Sequence, residues 1–62
     1  MTTTYRVTLD MLGRDGRVIG TESNTYAADD RTDAIEAAFE FELHGSDAAD
    51  AVVRLVEEVP GG

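Results

Sequence analysis

Cysteine, lysine and tryptophan are absent from this chain of 62 residues. Without cysteine, no disulfide can support the core and no thiolate can bind a metal. A chain this short buries only about 60% of the surface that its unfolded form exposes, so its core is marginal. We therefore expect one small domain, residues 1–62, and a homodimer would bury surface that a lone domain leaves exposed.

Long apolar runs are missing as well. No segment approaches the length that a membrane span requires. The N-terminal sequence MTTTYRVTLD lacks the charged start and the apolar centre of a signal peptide. These two features predict a cytoplasmic protein.

Positive charge is scarce, since thirteen acids stand against five arginines for a net charge of −8. Such a surface would repel phosphates, which argues against direct binding to nucleic acid or to an anionic membrane. Residues 1–26 hold three acids and three arginines, whereas residues 27–62 hold ten acids and two arginines and so carry the whole net charge. This asymmetry indicates a partner, although adaptation to a GC-rich genome or a salt-rich cytoplasm would also explain it.

The first half of the chain predicts a β-hairpin. Residues 4–12 alternate as a half-buried strand does, and the turn residues GRDG follow at 13–16. A second strand is expected over about 17–27, with a bulge near Gly20 and a polar edge along residues 21–25. Tyr26 is expected to anchor the end of this strand. The inward positions of the first strand are Tyr5, Val7, Leu9 and Met11.

Residues 27–42, AADDRTDAIEAAFEFE, hold six carboxylates and predict a helix over about 30–43. Asp30 suits the N-cap, with Asp33 three residues later. Glu42 falls inside the apolar arc, so the helix is expected to loosen there, and Gly45 is expected to end it beside His44. At about 100° per residue, the apolar face comprises Ala34, Ile35, Ala38, Phe39 and Phe41. The opposite stripe comprises Asp33, Glu36 and Glu40.

The last segment admits two readings. Residues 47–59 have helical spacing with Ser46 as a cap, but four valines and a leucine favour a strand. A third strand would also complete a sheet that is weak with two. We favour an α+β ββαβ domain with an antiparallel sheet in the order 2-1-3 and the helix on one face; the alternative is ββαα with a C-terminal helix at 47–59. The strand would leave Val52 and Val56 facing outward, where a second copy would cover them.

The residues needed for catalysis and metal binding are sparse. His44 is the only histidine, and one histidine on so small a scaffold does not make a catalytic triad. The acids lie mostly on a predicted solvated face, and none has the spacing of a calcium loop. The segment LGRDGRVIG has three glycines but lacks the lysine of a phosphate-binding P-loop. We therefore predict no enzymatic activity, no catalytic residue, no cofactor and no metal site.

The acidic half instead suggests an interaction surface. Carboxylates of the stripe are separated by one helical turn, roughly 5–6 Å, which is close to the spacing of phosphates along a DNA strand. We expect a DNA mimic that occupies the basic cleft of a nucleic-acid-binding protein. In size, charge and lack of catalytic residues, the chain is similar to small phage-encoded inhibitors, including anti-CRISPR proteins, a resemblance that assigns no residue. The candidate partner-binding residues are Asp29, Asp30, Asp33, Glu36, Glu40, Asp47 and Asp50.

Two other classes of function remain open. One is a structural or homodimeric interaction module of unknown partner, whose acidity reflects the genome or the salt of its cell. The other is a ligand-binding or enzymatic domain whose site forms only between subunits.

Overall fold

The computed structural model describes residues 2–60, which form a three-stranded antiparallel sheet and one helix. The elements are β1 (Thr3–Leu12), β2 (Val18–Ala28), α1 (Arg31–His44) and β3 (Asp50–Glu58). The sheet order is β2-β1-β3. The predicted ββαβ architecture and strand order are therefore confirmed, and the alternative with a helix at 47–59 is wrong. Within the described residues, no helix has the length and apolar character needed to cross a membrane.

The core lies between α1 and one face of the sheet. The alternation of β1 directs every second side chain to that face, and the predicted inward residues are all buried. The helix contributes Ala34 and Ala38, each 0% exposed. Because these side chains are single methyl groups, the helix can pack closely on the larger residues of β1. The buried cluster comprises Tyr5, Val7, Leu9, Met11, Ala28, Ala34, Ala38 and Ala51.

The hairpin turn between β1 and β2 follows from its glycines and aspartate. The Gly13 N–H donates to the Arg17 carbonyl at 2.8 Å, and the Gly16 N–H donates to the Gly13 carbonyl at 3.0 Å. Gly16 has a φ of 81°, which side chains rarely adopt. Asp15 Oδ1 accepts from the Arg17 N–H at 3.1 Å, as aspartates in turns commonly do.

A bulge in β2 lies directly after this turn. Met11 is opposite Gly20 and Leu12 is opposite Val18, so Ile19 has no partner across the pair. The predicted bulge is thus confirmed, one residue before Gly20. Val18 and Ile19 are 57% and 60% exposed, which leaves two apolar side chains on the surface near the hairpin tip.

A second bulge, in β3, changes which valines face the helix. Leu9 pairs with Val53 and Thr8 pairs with Leu55, so Arg54 is the additional residue. Beyond it, Val56 lies opposite buried Val7 and packs against the core. The expectation that Val56 faces outward was therefore wrong, because it assumed an unbroken alternation.

The sheet face without a helix is called the open face below. Asp10 points to this face, because β1 alternates and its neighbours Leu9 and Met11 are buried. Val52 is opposite Asp10, and Leu55 is opposite Thr8. They are 46% and 50% exposed. Val52 and Leu55, rather than Val52 and Val56, are thus the apolar residues of β3 on the open face.

The start of α1 is capped as predicted. Asp30 is extended, with a φ of −151°, and its side chain accepts from the Asp33 N–H at 2.9 Å. This bond satisfies one of the N–H groups that a helix leaves unpaired at its start. Gly45 follows the last helical residue with a φ of −97°, so the helix ends without the left-handed conformation that glycine often supplies.

Replacing Asp30 with alanine should lower the free energy of unfolding by about 1 kcal/mol, because the N-cap bond is lost. Asp29→Ala is the matched control, since it removes the same charge from the neighbouring exposed position. We expect the control to change stability by less than about 0.5 kcal/mol. Urea unfolding followed by circular dichroism measures both. Equal losses would show that charge near the helix start, and not the cap bond, determines stability.

Candidate interaction surface

The acidic stripe of Asp33, Glu36 and Glu40 lies on the outer side of α1. All three residues are exposed, whereas Ala34 and Ala38 on the other side are fully buried. Positions i, i+3 and i+7 share one face of a helix, with adjacent members roughly 5–6 Å apart. The structure thus presents the stripe to solvent in the arrangement that the sequence predicts.

Among residues 2–60, no acid of the stripe takes part in an ion pair. The ion pairs found in residues 2–60 join Arg17 to Asp15 at 3.5 Å and Arg54 to Asp10 at 3.4 Å. Both involve sheet or turn residues, and neither includes an acid of the stripe. Its negative potential is therefore directed outward, where only solvent and salt screen it.

The flanking candidate acids divide into two groups. Asp29 and Asp30 precede the helix and lie at the positive end of its dipole, with Asp30 also acting as the cap. Asp47 is exposed in the loop that follows the helix. Asp50 begins β3 opposite Leu12, and its Oδ1 accepts from the Ala51 N–H at 2.8 Å. The alternation of β3, in which Ala51 is buried, directs Asp50 to the open face, away from the stripe.

Glu42 contacts the sheet and fixes the rotation of α1 about its own axis. Its Oε1 accepts from Asn24 Nδ2 at 2.6 Å and from the Tyr26 hydroxyl at 3.2 Å. Tyr26 also packs edge-on against Phe41, with ring centroids 6.3 Å apart. These contacts join the last turns of α1 to β2, and the two buried alanines place its first turns against the core of the sheet.

The expectation that α1 loosens at Glu42 was therefore wrong. The helix continues to His44, because the carboxylate inside the apolar arc finds two donors on β2. Phe41 was expected in the core but is 66% exposed, and its ring lies at the edge of the sheet beside Tyr26. The anchoring role expected of Tyr26 is confirmed by its half-buried position and its bond to Glu42.

Sequence reasoning missed the pairing of Glu42 with Asn24 and Tyr26. The sequence signal for this pairing was a carboxylate within an apolar arc of the helix, preceded by a strand with a tyrosine near its end. A buried or half-buried carboxylate requires hydrogen-bond donors. A search for donors on the neighbouring strand would have found both partners.

The Tyr26 hydroxyl responds to this environment. Burial, the negative charge of Glu42 and the hydrogen bond to it together raise the pKa of Tyr26 from 10.0 to about 12. Each of these factors disfavours the phenolate, because burial removes water from it and Glu42 repels it.

No cluster of metal-binding groups appears in the part of the chain that the structure describes. Residues 2–60 contain no group of three or more histidine, cysteine, aspartate or glutamate side chains close enough to hold a metal ion. His44 is exposed at the end of α1. The depression beside it is lined by Glu40, Phe41 and Glu42, so the concave surface of this region is itself acidic and aromatic.

Comparison of the chain with models of protein families, with curated proteins and with solved structures found no match.

Glu42→Gln should lower the pKa of Tyr26 from about 12 toward 10.0, because it removes the negative charge beside the phenol. The pKa should stay above 10.0, since burial, the largest cause, remains. Phenolate absorbance during an alkaline titration measures this change, and Tyr26→Phe identifies which of the two tyrosines contributes each step. An unchanged titration in Glu42→Gln would contradict the contact.

The same group links stability to pH. Because the folded pKa of Tyr26 lies above its unfolded value, its contribution is complete below pH 10 and is lost as the pH rises toward 12. The wild-type free energy of unfolding should therefore fall across this range more steeply than that of Tyr26→Phe. Urea unfolding at several alkaline pH values tests the difference, and parallel curves would contradict it.

Proposed function

We propose that this protein is a non-enzymatic DNA mimic that occupies the basic cleft of a nucleic-acid-binding protein. The observation that carries the proposal is a row of unneutralised carboxylates on a helix whose rotation is fixed. Asp33, Glu36 and Glu40 are exposed and have no ion pair among the described residues. The buried alanines and the Glu42 contacts hold these residues in one orientation.

Rigidity is what distinguishes such a surface from ordinary acidity. A cleft that binds duplex DNA is built for phosphates at fixed spacing, and a preorganised row of carboxylates binds there at a smaller entropic cost than flexible acids would. Successive turns of α1 repeat their carboxylates at roughly 5–6 Å. The exposed aspartates at the two ends of the helix, Asp29, Asp30 and Asp47, add negative charge beside the stripe.

Long-range charge should also accelerate the association. The net charge of −8 comes from the half of the chain that contains α1. A field of this sign steers a positively charged partner toward the helix and repels nucleic acid itself. The proposed role is thus competition with nucleic acid for the partner, in the cytoplasm, in the manner of a phage-encoded inhibitor such as an anti-CRISPR protein.

Neutralising the stripe tests the proposal. The triple variant Asp33→Asn, Glu36→Gln, Glu40→Gln should keep its stability within about 0.5 kcal/mol, because exposed charges contribute little to folding. It should capture markedly less nucleic-acid-binding protein from a lysate of the host cells. Immobilised wild-type and variant proteins, with identification of what they retain by mass spectrometry, provide the measurement.

The matched control removes three exposed acids from the sheet: Glu22→Gln, Glu57→Gln, Glu58→Gln. Both variants have a net charge of −5, from −8 plus three, so any difference between them reflects position and not total charge. Capture should persist in the control. Capture by the wild type and by both variants should weaken as salt rises from about 0.1 M to about 1 M, because the Debye length falls from about 10 Å to about 3 Å. Equal capture by the two variants would refute the assignment of the stripe.

A further inference from the structure

The open face of the sheet differs from the rest of the surface in its charge. Its charged residues are two arginines and three acids, for a net of −1, so the remainder of the molecule carries −7 of the total −8. Two copies of this chain would repel each other strongly through their helix sides. The open face is where a second copy can approach with little electrostatic cost. The charged residues concerned are Arg6, Asp10, Asp50, Arg54 and Glu57.

Several polar groups of the open face are already bonded to one another. Asp10 Oδ1 accepts from Thr21 Oγ1 at 3.0 Å and from Arg54 Nη1 at 3.4 Å, which connects all three strands. Thr8 and Ser23 share a hydrogen bond at 3.1 Å. Burying polar groups is costly when they lose water without gaining partners. These groups already have partners, so covering them with a second copy costs less than covering unbonded polar groups.

Exposed apolar side chains lie on the same face. Val52 and Leu55 are 46% and 50% exposed, next to one another across the bulge at Arg54. Arg6 lies opposite Glu57, and neither takes part in the ion pairs found in residues 2–60. A second copy related by a two-fold axis would offer the same apolar pair and the same two unpaired, opposite charges. The face is thus complementary to itself, as a two-fold interface must be.

We infer that two copies of this protein pack through their open faces, with Val52 and Leu55 at the centre. The result is a four-layer sandwich in the order helix, sheet, sheet, helix, with the two sheets about 10 Å apart. The two helices lie on the outside, so their acidic stripes face in opposite directions. Such a dimer presents two separate copies of the acidic surface, and one dimer can engage two partner molecules.

Sedimentation equilibrium from about 1 μM to about 1 mM, a range that spans weak and moderate affinities, tests the inference. The apparent mass of the wild type should rise from 6.7 kDa toward twice that value. Val52→Thr with Leu55→Thr should raise the dissociation constant at least about tenfold, because each threonine replaces apolar contact surface with a hydroxyl group, and at position 55 it also removes bulk. A wild type that stays at 6.7 kDa across this range would overturn the dimer.

The matched control is Val53→Thr, which removes apolar surface from the other face of β3, where Val53 lies opposite buried Leu9 and is 38% exposed. It should dimerise as the wild type does, and an equal loss would overturn the choice of face. The neutralised stripe variant should also dimerise normally, so failure of the dimer and failure of the DNA mimicry are distinguishable. Circular dichroism verifies that each variant is folded.

Dilution of the isotope-labelled wild type, followed by NMR, locates the interface without any substitution. Amide shifts should change across the open face, at Thr8 on β1 and Ser23 on β2 as well as at Leu55 on β3. Changes confined to β3 would indicate pairing between strand edges and would overturn face-to-face packing. Changes centred on the hairpin tip or on α1 would overturn it as well.

Discussion

The structure depends on the packing of two alanines of α1 against one face of β1. Ala34 and Ala38 are fully buried in the same core cluster as Val7 and Leu9. Their small size brings the helix close to the central strand, which has neighbours on both sides. In a chain of this length, without disulfides, this packing and the contacts of Glu42 with β2 hold helix and sheet together. The position of every other surface follows from this contact.

One consequence is that the two sides of the molecule differ in their charge and in their exposed apolar residues. The side of α1 opposite the alanines cannot contact the sheet, and it carries the stripe of Asp33, Glu36 and Glu40. The sheet side without a helix is nearly neutral and carries exposed Val52 and Leu55. The charge asymmetry between the halves of the sequence thus becomes a spatial one, with an acidic helix surface and a nearly neutral open face.

Much of this arrangement is predictable from local patterns. The alternation in β1, the N-cap at Asp30 and the helical spacing of the stripe each depend on neighbouring residues, and each was confirmed. Val56 could not be placed, because the bulge at Arg54 follows from how β3 pairs with β1. A bulge reverses the facing of every later residue, and β3 alone gives no sign of it.

Contacts between distant segments explain the other errors. Glu42 was expected to loosen the helix, since a carboxylate in an apolar arc is unfavourable when considered alone. Asn24 and Tyr26, far earlier in the chain, supply the donors that hold the Glu42 carboxylate against β2. The candidate surface is therefore predictable in its residues, whereas the fixed orientation that the proposed mimicry requires depends on these long-range contacts.

The central claim is that α1 takes the place of nucleic acid on a partner. Competition measures this most directly: the captured partner is bound to a fluorescent DNA duplex, and the protein is titrated in while anisotropy is followed. The account predicts that the protein displaces the duplex, and that excess duplex releases the protein in turn. Simultaneous binding of duplex and protein to the same partner would contradict it.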